Sequence, residues 1–272
     1  MERNPDSPGP KLLVSVRSAT EAREAVAGGC DILDVKEPSR GSLGAASGAT
    51  IRQISEVACE TETPLSAALG ECADWGAPVP PVSLSAIPDS SLQFVKLGLA
   101  GLGENENAIT SWLHLAAQIG RQLGQGTRHV AVIYADWQIA RSPHPATILD
   151  ALSNHLASEN REPDFAGILI DTFGKESGRL TDAMPITQLG EIQERTRKQG
   201  LFLALAGRVT VDILPEVLSV SPDIVAIRSA ACVGEDRQAS VRGEAVADFR
   251  RAMLDLTSKS KLAAAFDEAR HV

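Results

Sequence analysis

Charged side chains stand at or near the ends of several short apolar runs in this sequence. A buried charge is costly unless it is paired or hydrogen-bonded, so the position of each charged side chain has two possible explanations. It meets solvent where its run ends, or it joins the others in one polar cavity. The residues are Asp34 and Lys36 in the run 31–36, Lys96 in 93–97, Asp136 just after 129–134, Asp171 in 165–171 and Arg228 in 223–228.

Lys36 and Lys96 have the most specific chemistry of this set. A free lysine amine is almost fully protonated at neutral pH, but burial and neighbouring groups bring the pKa of an active-site lysine down to about 7–8. The neutral amine attacks an aldehyde or ketone and forms an iminium, which acidifies the adjacent carbon. One lysine would be the nucleophile, while the other and a carboxylate move protons. A purely structural network of buried ion pairs would leave the same pattern.

Small and basic residues follow three of the runs and suggest where a phosphate could bind. Ser42 and Gly44 belong to Arg-Gly-Ser-Leu-Gly-Ala (40–45), Gly207 and Arg208 end Ala-Gly-Arg (206–208), and Ser229 follows Arg228. Backbone N–H groups in such loops can surround an anion. Each loop alone is equally consistent with an ordinary turn, so the prediction of phosphate contacts rests on all three together.

The elements that would position these residues alternate regularly along the chain. Apolar, β-branched runs lie at 12–16, 31–36, 64–69, 93–97, 129–134, 165–171, 201–206 and 223–228, and helical periodicity lies at 19–27, 49–59, 106–123, 145–157, 186–198 and 211–218. Strand and helix in alternation indicate a parallel sheet. Eight strands without a glycine-rich dinucleotide fingerprint favour a closed (β/α)₈ (TIM) barrel over a Rossmann domain. The weakest expected helix lies at 82–91, where Pro88 interrupts it.

The barrel prediction also gives the charges a common location. The strand period of two places Asp34 and Lys36 on one face and Leu33 and Val35 on the other. Because both faces of a parallel sheet are covered, the charged face is expected to point into the barrel, near the carboxyl-end mouth where such barrels have their active sites. We expect one barrel domain at 11–258, a disordered tail at 1–10 and an exposed tail at 259–272.

Composition excludes several other classes of protein. The 272 residues have a formal net charge of −9, which argues against a nucleic-acid partner. No apolar run is long enough to span a membrane. The four cysteines lack metal or redox spacing and the five histidines form no metal pattern, so we expect buried thiols, a cytoplasmic protein, and no cofactor or metal. A monomer and a homo-oligomer both remain open.

Several motifs together resemble the (5-formylfuran-3-yl)methyl phosphate synthase family, from about Lys11 to Arg250. They are Leu-Leu-Val-Ser-Val (12–16), Gly-Gly-Cys-Asp-Ile-Leu-Asp-Val-Lys-Glu-Pro (28–38), Gly-Ser-Leu-Gly-Ala (41–45), Phe-Val-Lys-Leu-Gly-Leu (94–99), Tyr-Ala-Asp (134–136), Ile-Asp-Thr (170–172), Leu-Ala-Gly (205–207), Arg-Ser-Ala-Ala-Cys (228–232) and Gly-Glu-Asp-Arg (234–237). Ser229 stands where the family pattern has glycine.

The resemblance implies a TIM barrel that condenses two molecules of glyceraldehyde 3-phosphate into a furan aldehyde phosphate, a precursor of methanofuran-type carriers. By the resemblance, Lys36 is the Schiff-base lysine and Lys96 the proton-accepting lysine. Asp171 and Lys175 match the family's acid and the lysine four residues later. On this basis we predict Asp171 as the proton partner of Lys96, with Asp34 or Asp136 as orienting carboxylates. Candidate phosphate contacts are Lys175, Ser42, Gly44, Gly207, Arg208, Arg228 and Ser229.

Two other functions fit the residues. Another Schiff-base aldolase acting on a small sugar phosphate would use the same lysines, and its product would lack the near-ultraviolet absorbance of a furan aldehyde. A barrel that binds a phosphorylated metabolite without turnover is the alternative of a different class. The second inward lysine, Lys96, speaks against it, because binding alone does not need two amines.

Overall fold

Eight parallel strands close into a barrel in the computed structural model, which describes residues 9–270 apart from 90, 104, 106, 125, 160, 161 and 175, with side chains up to 259. Each strand pairs with its neighbours in sequence, and β1 pairs with β8. All eight predicted strands are present. They are β1 (Lys11–Val16), β2 (Ile32–Val35), β3 (Leu65–Glu71), β4 (Phe94–Gly98), β5 (Arg128–Tyr134), β6 (Phe165–Asp171), β7 (Phe202–Leu205) and β8 (Ile224–Ile227).

Helices follow most strands, and serine side chains cap the first two of them. Ser18 accepts a hydrogen bond from the Glu21 N–H, and Ser47 accepts one from the Thr50 N–H, which satisfies donors that have no partner within the helix. The helices are α1 (Ala19–Ala27), α2 (Gly48–Glu60), α3 (Ala108–Leu123), α4 (Trp137–Ala140), α5 (Pro145–Ala157), α6 (Leu180–Ala183), α7 (Ile186–Lys198), α8 (Leu214–Ser219) and α9 (Gly243–Arg270). In the described part of the chain, no helix combines the length and apolar character needed to cross a membrane.

Buried apolar residues form two clusters, as expected for a sheet covered on both faces. The larger cluster lies between the strands and the surrounding helices and includes Leu33, Val35 and Trp112. The smaller one fills the barrel, where Phe94 and Phe202 meet edge to face with ring centroids 5.4 Å apart. The face opposite Leu33 and Val35 is therefore the inner face, which is the face that bears Asp34.

A β-bulge in β3 turns an acidic side chain inward. The register with β4 shifts between Ala68 and Glu71, and Gly70 between them has φ of +86°, a conformation that favours glycine. Glu71 then accepts hydrogen bonds from the Tyr134 hydroxyl at 2.5 Å and the Ala100 N–H at 2.9 Å. It passes over Gly98, where a Cβ atom would come within 2.0 Å of Glu71 Oε2. The sequence pattern did not predict this half-buried acid.

One predicted helix differs from the structure. Between β3 and β4 the expected helix at 82–91 is reduced to one 3₁₀ turn, Leu84–Ala86, because Pro88 removes a backbone donor and disfavours helix in the residue before it. At the other end, α9 continues past residue 258 to Arg270, so residues 259–270 extend the last helix. Residues 1–8 of the predicted tail lie outside the described residues.

Candidate active site

A cavity of about 550 Å³ opens at the carboxyl-end mouth of the barrel. Its lining comes from β1, from the ends of β2, β4, β6, β7 and β8, and from loops that follow these strands. The structure thus brings together side chains that are far apart in sequence. Nine predicted residues line the cavity, namely Asp34, Lys36, Ser42, Lys96, Asp171, Gly207, Arg208, Arg228 and Ser229.

Asp34 and Lys96 form a buried ion pair in this cavity. Asp34 Oδ1 contacts Lys96 Nζ, and Asp34 Oδ2 accepts a hydrogen bond from Ser15 Oγ at 3.1 Å. The two residues stand on β2 and β4, in register with Ser66 and Ala68 of the intervening strand. Because Ser66 and Ala68 are small, the carboxylate and the amine can meet across β3.

Lys36 follows β2 directly and its half-buried side chain lines the same cavity. Burial is the largest influence on its pKa and lowers it from the usual 10.5. The carboxylates of Asp171 and Asp34 raise this pKa, while the positive charges of Lys96 and Arg237 lower it. The net direction is downward, so the neutral, nucleophilic amine is more populated than in a free lysine.

Asp171 ends β6 opposite Lys36 and is held by two short contacts. Its Oδ1 accepts a hydrogen bond from the Thr172 N–H at 2.8 Å, and its Oδ2 lies 2.9 Å from Ser42 Oγ. Ser42 Oγ is also 3.0 Å from the Thr172 carbonyl oxygen. Ser42 is therefore engaged with the Asp171 segment, and it connects the loop after β2 to the end of β6.

Arg228, a predicted phosphate contact, has all of its N–H groups engaged within the protein. Its guanidinium donates to Glu21 Oε1 and Oε2 at 3.2 and 2.5 Å, and to the Ser15 carbonyl oxygen at 2.9 Å. Two further bonds go to the carbonyl oxygens of Arg237, at 3.1 Å, and Ala239, at 3.0 Å. An arginine has five N–H donors, and all five are used within the protein.

The loops after β7 and β8 contribute further predicted residues to the cavity lining. Gly207 has φ of +99°, and a Cβ atom there would come within 2.9 Å of Thr172 Cγ2. Arg208 follows with φ of +50°, and Ser229 begins a 3₁₀ turn, Ser229–Ala231. Backbone and side-chain donors of this kind at the mouth of a barrel suit an anionic group.

Comparison with known proteins identifies the family. The model of the family described as 4-HFC-P synthase matches residues 12–250. The chain belongs to the 4-HFC-P synthase family. It is 34% identical over 245 residues to the (5-formylfuran-3-yl)methyl phosphate synthase of Methanopyrus kandleri, an alignment that covers 90% of this chain and 99% of that one. With the enzyme of the same name from Archaeoglobus fulgidus, it shares 31% identity over 247 residues, 89% and 99% of the two chains.

Likeness to solved structures supports the fold of this 4-HFC-P synthase family member. The GGGPS of Thermoplasma volcanium superposes with a TM-score of 0.58 at 12% sequence identity, covering 92% of each chain. At that identity the likeness concerns the barrel alone. The assignment to the family rests on the sequence matches.

Two predicted residues of this synthase, Asp136 and Gly44, stand apart from the cavity. Asp136 does not line it. Its carboxylate instead accepts hydrogen bonds from the N–H groups of Phe173 at 2.8 Å and Gly174 at 2.7 Å, and from the Ser177 hydroxyl. It thus holds the loop after β6. Gly44 packs against the Glu37 carbonyl oxygen, which a Cβ atom would approach to 2.3 Å, and it does not line the cavity either. Lys175 lies outside the described residues.

Ser15 and Arg237 line the cavity and were missed in the sequence. Ser15 had a readable signal, because it is the polar residue of an apolar strand and shares the face of Leu13. Arg237 ends the Gly-Glu-Asp-Arg motif, yet nothing in its local pattern indicates that it folds back over the barrel. Within the described ranges, no three His, Cys, Asp or Glu side chains gather as metal ligands would.

Proposed function

We propose that the cavity makes (5-formylfuran-3-yl)methyl phosphate from two molecules of glyceraldehyde 3-phosphate through a Schiff base on Lys36. Family membership gives the overall activity, that of a (5-formylfuran-3-yl)methyl phosphate synthase in methanofuran-type cofactor biosynthesis. The balance of atoms requires the loss of one phosphate and two waters. The substrate, and the residues that act on it, are the parts that we propose for this chain.

The state of the Lys36 amine is the observation that carries the proposed mechanism. Burial lowers its pKa, and within the described structure no hydrogen bond engages its nitrogen. In the proposed first step this nitrogen attacks the aldehyde carbon of a triose phosphate and water leaves. The resulting iminium withdraws electrons from the adjacent carbon, whose proton becomes easier to remove.

Lys96 and Asp171 are proposed to move the protons of the later steps. Lys96 has three N–H donors when charged, and Asp34 is the one hydrogen-bond partner that its amine has among the described residues. Asp171 faces the same cavity and is oriented by Ser42 and the Thr172 N–H. Asp34 is proposed to orient Lys96 and to balance its charge. A positioned acid or base of this kind contributes about 10²- to 10⁴-fold to a rate.

The phosphate group of a bound triose is proposed to lie at the loops after β7 and β8. Gly207, Arg208 and Ser229 line that side, and in this fold the loops after the seventh and eighth strands often hold a phosphate. Lys175 remains a proposed contact from the family resemblance. Ser42 is better described as a residue that orients Asp171.

Borohydride trapping tests the Schiff base directly. The protein is incubated with glyceraldehyde 3-phosphate and sodium borohydride, and the modified peptide is identified by mass spectrometry. We expect one adduct, on Lys36, and none in Lys36→Ala. Lys198→Ala, which removes a lysine at the exposed end of α7, is the matched control and should trap normally. An adduct that persists in Lys36→Ala rejects Lys36 as the nucleophile, and the absence of near-ultraviolet absorbance from a furan aldehyde rejects the product.

A further inference from the structure

Arg237 lines the cavity and uses little of its hydrogen-bonding capacity within the described part of the chain. Its Nη2 donates to the Gly41 carbonyl oxygen at 3.0 Å, and this is the one hydrogen bond that its side chain makes among the described residues. The neighbouring Arg228 is the opposite case, because all five of its N–H groups are used. Of these two arginines, Arg237 therefore has the free guanidinium edge with which to bind an anion in two-point fashion.

The backbone of Arg237 is fixed although the residue lies in a loop. Its carbonyl oxygen accepts from Arg228 Nε at 3.1 Å, and the Ala239 carbonyl oxygen accepts from Arg228 Nη2 at 3.0 Å. Arg228 is itself held by Glu21 of α1 and by the Ser15 carbonyl oxygen of β1. The buried Arg228 and Glu21 pair thus ties the loop after β8 to the barrel, and the tied loop presents Arg237 to the cavity.

Arg237 faces the groups that would do the chemistry. The positive charge of Arg237 is one of the influences that lower the pKa of Lys36. The carboxylate of Asp171 in turn acts to raise the pKa of Arg237. Half-burial is the main reason that the pKa of Arg237 lies below its usual value. A guanidinium in a protein nevertheless stays charged, so Arg237 is a partly desolvated cation close to the proposed Schiff base.

The product shows which phosphate must leave. In (5-formylfuran-3-yl)methyl phosphate, the formyl carbon and ring carbons 5 and 4 form one three-carbon chain, and the methyl phosphate carbon and ring carbons 3 and 2 form the other. Ring carbon 4 bears only hydrogen. The triose that supplies the aldehyde has therefore lost the phosphate of its third carbon, and that phosphate is only a few bonds from the aldehyde that Lys36 would hold.

The elimination balances without any further reactant. A base takes the proton from the second carbon of the iminium, and the electron pair forms an enamine. The enamine nitrogen then returns its electrons, the bond between the third carbon and oxygen breaks, and inorganic phosphate leaves with that electron pair. The organic fragment remains as a conjugated iminium on the lysine. The phosphate gains negative charge as it departs, and a cation aimed at it lowers the barrier.

We propose that Arg237 binds the phosphate that is eliminated and stabilises its departure, and that Arg228 is a positioning residue that holds Arg237 in place. This inference rests on the proposed Schiff-base function. It separates the binding of the leaving phosphate from the binding of the retained phosphate, two tasks that the sequence pattern did not distinguish. Arg237 serves the leaving phosphate, while the loops that contain Gly207, Arg208 and Ser229 are proposed to bind the phosphate that is retained.

Arg237→Gln tests the assignment through steps that can be measured separately. We expect the release of inorganic phosphate from glyceraldehyde 3-phosphate to slow by about 100-fold, while borohydride trapping on Lys36 stays within about threefold of the wild type. Inhibition by added inorganic phosphate should weaken at least about 10-fold. Arg237→Lys, which keeps the charge but loses the planar fork, should be intermediate.

Arg179→Gln is the matched control, because Arg179 is an arginine at the rim of the same cavity. Its guanidinium already pairs with Asp212 and Asp182 in an exposed setting, so we expect changes of less than about threefold. If Arg237→Gln releases phosphate at the wild-type rate, or keeps the wild-type inhibition by phosphate, the assignment is overturned. It is also overturned if trapping and release fall together in a folded variant. A wild-type protein that traps no adduct would instead reject the proposed function itself.

Discussion

Two buried ion pairs lie at the same end of the barrel and differ in what their partners leave unused. Arg228 and Glu21 are 7% and 4% exposed, and every N–H donor of the arginine forms a hydrogen bond within the protein. Lys96 and Asp34 are as well buried, but within the described residues Asp34 is the single partner of the Lys96 amine. Both cations stand at the carboxyl ends of strands. A charge at a strand end therefore does not by itself distinguish a reactive group from a structural one. The distinguishing feature is whether the group keeps N–H donors that the folded protein does not use.

The chain also differs in how it surrounds the two pairs. The Arg228 pair joins β8 to α1, and the carbonyl oxygens of the loop after β8 complete its shell. The Lys96 pair spans the barrel interior between β2 and β4 and borders the cavity. A structural pair gains from saturation, because each unmet donor in a buried site costs free energy. A catalytic pair needs some unmet donors, which a substrate can then satisfy.

The largest expected effect is the loss of turnover on removal of the Lys96 amine. In Lys96→Met the side chain keeps most of its volume but cannot transfer a proton. We expect kcat per folded molecule to fall by about 10²- to 10⁴-fold, measured as the rise of furan aldehyde absorbance. Lys198→Met, on the exposed end of α7, should keep the wild-type rate. A Lys96→Met protein that retains more than about a tenth of the rate would place Lys96 with the structural ion pairs.

The next effect is on stability and concerns Arg228. Arg228→Met leaves the Glu21 carboxylate buried without its main partner, and we expect the free energy of unfolding to fall by about 3–5 kcal/mol. Urea denaturation followed by circular dichroism measures it. The double variant Glu21→Gln with Arg228→Met should recover part of the loss, because no uncompensated charge remains. A loss of less than about 1 kcal/mol in Arg228→Met would contradict a saturated structural role.

The same two pairs show what the sequence could and could not predict. Charges within apolar runs located Asp34, Lys36, Lys96 and Asp171 at one cavity, because the period of a strand and the closure of a barrel determine where those side chains lie. Arg228 gave an identical signal, yet all five of its N–H donors bond within the protein. Its partners Glu21, Ser15 and Ala239 come from three separate segments, and strand periodicity contains no information about such contacts.

The remaining differences also arise from contacts that are distant in sequence. Asp136 follows its strand as a catalytic acid would, yet the N–H groups of Phe173 and Gly174 use its carboxylate. Arg237 could not be assigned from periodicity because the loop that presents it is ordered by Arg228. The fold was more predictable than the site, since all eight strands follow from local patterns, and the expected helix at 82–91 failed where Pro88 made its pattern ambiguous.

The smallest expected effect is a shift in the pH dependence of Lys36, and it tests whether the Lys96 pair acts on the nucleophile through space. Lys96 lowers the pKa of Lys36 and Asp34 raises it. Lys96→Met should therefore raise that pKa, reduce the neutral amine at a given pH, and move the labelling midpoint to higher pH. Asp34→Asn should move the midpoint to lower pH. The measurement is the rate at which a small aldehyde and cyanoborohydride modify the Lys36 peptide, read by mass spectrometry.

Opposite signs for these two variants are the decisive feature of the experiment. A general loosening of the cavity would expose Lys36 to water in both variants and raise its pKa in both, because burial is the main reason that the pKa is low. Charge acting across the cavity shifts the midpoint upward in Lys96→Met and downward in Asp34→Asn. Lys198→Met should leave the midpoint unchanged. Shifts of the same sign in both cavity variants would mean that the Lys96 pair maintains the shape of the cavity and does not tune the nucleophile.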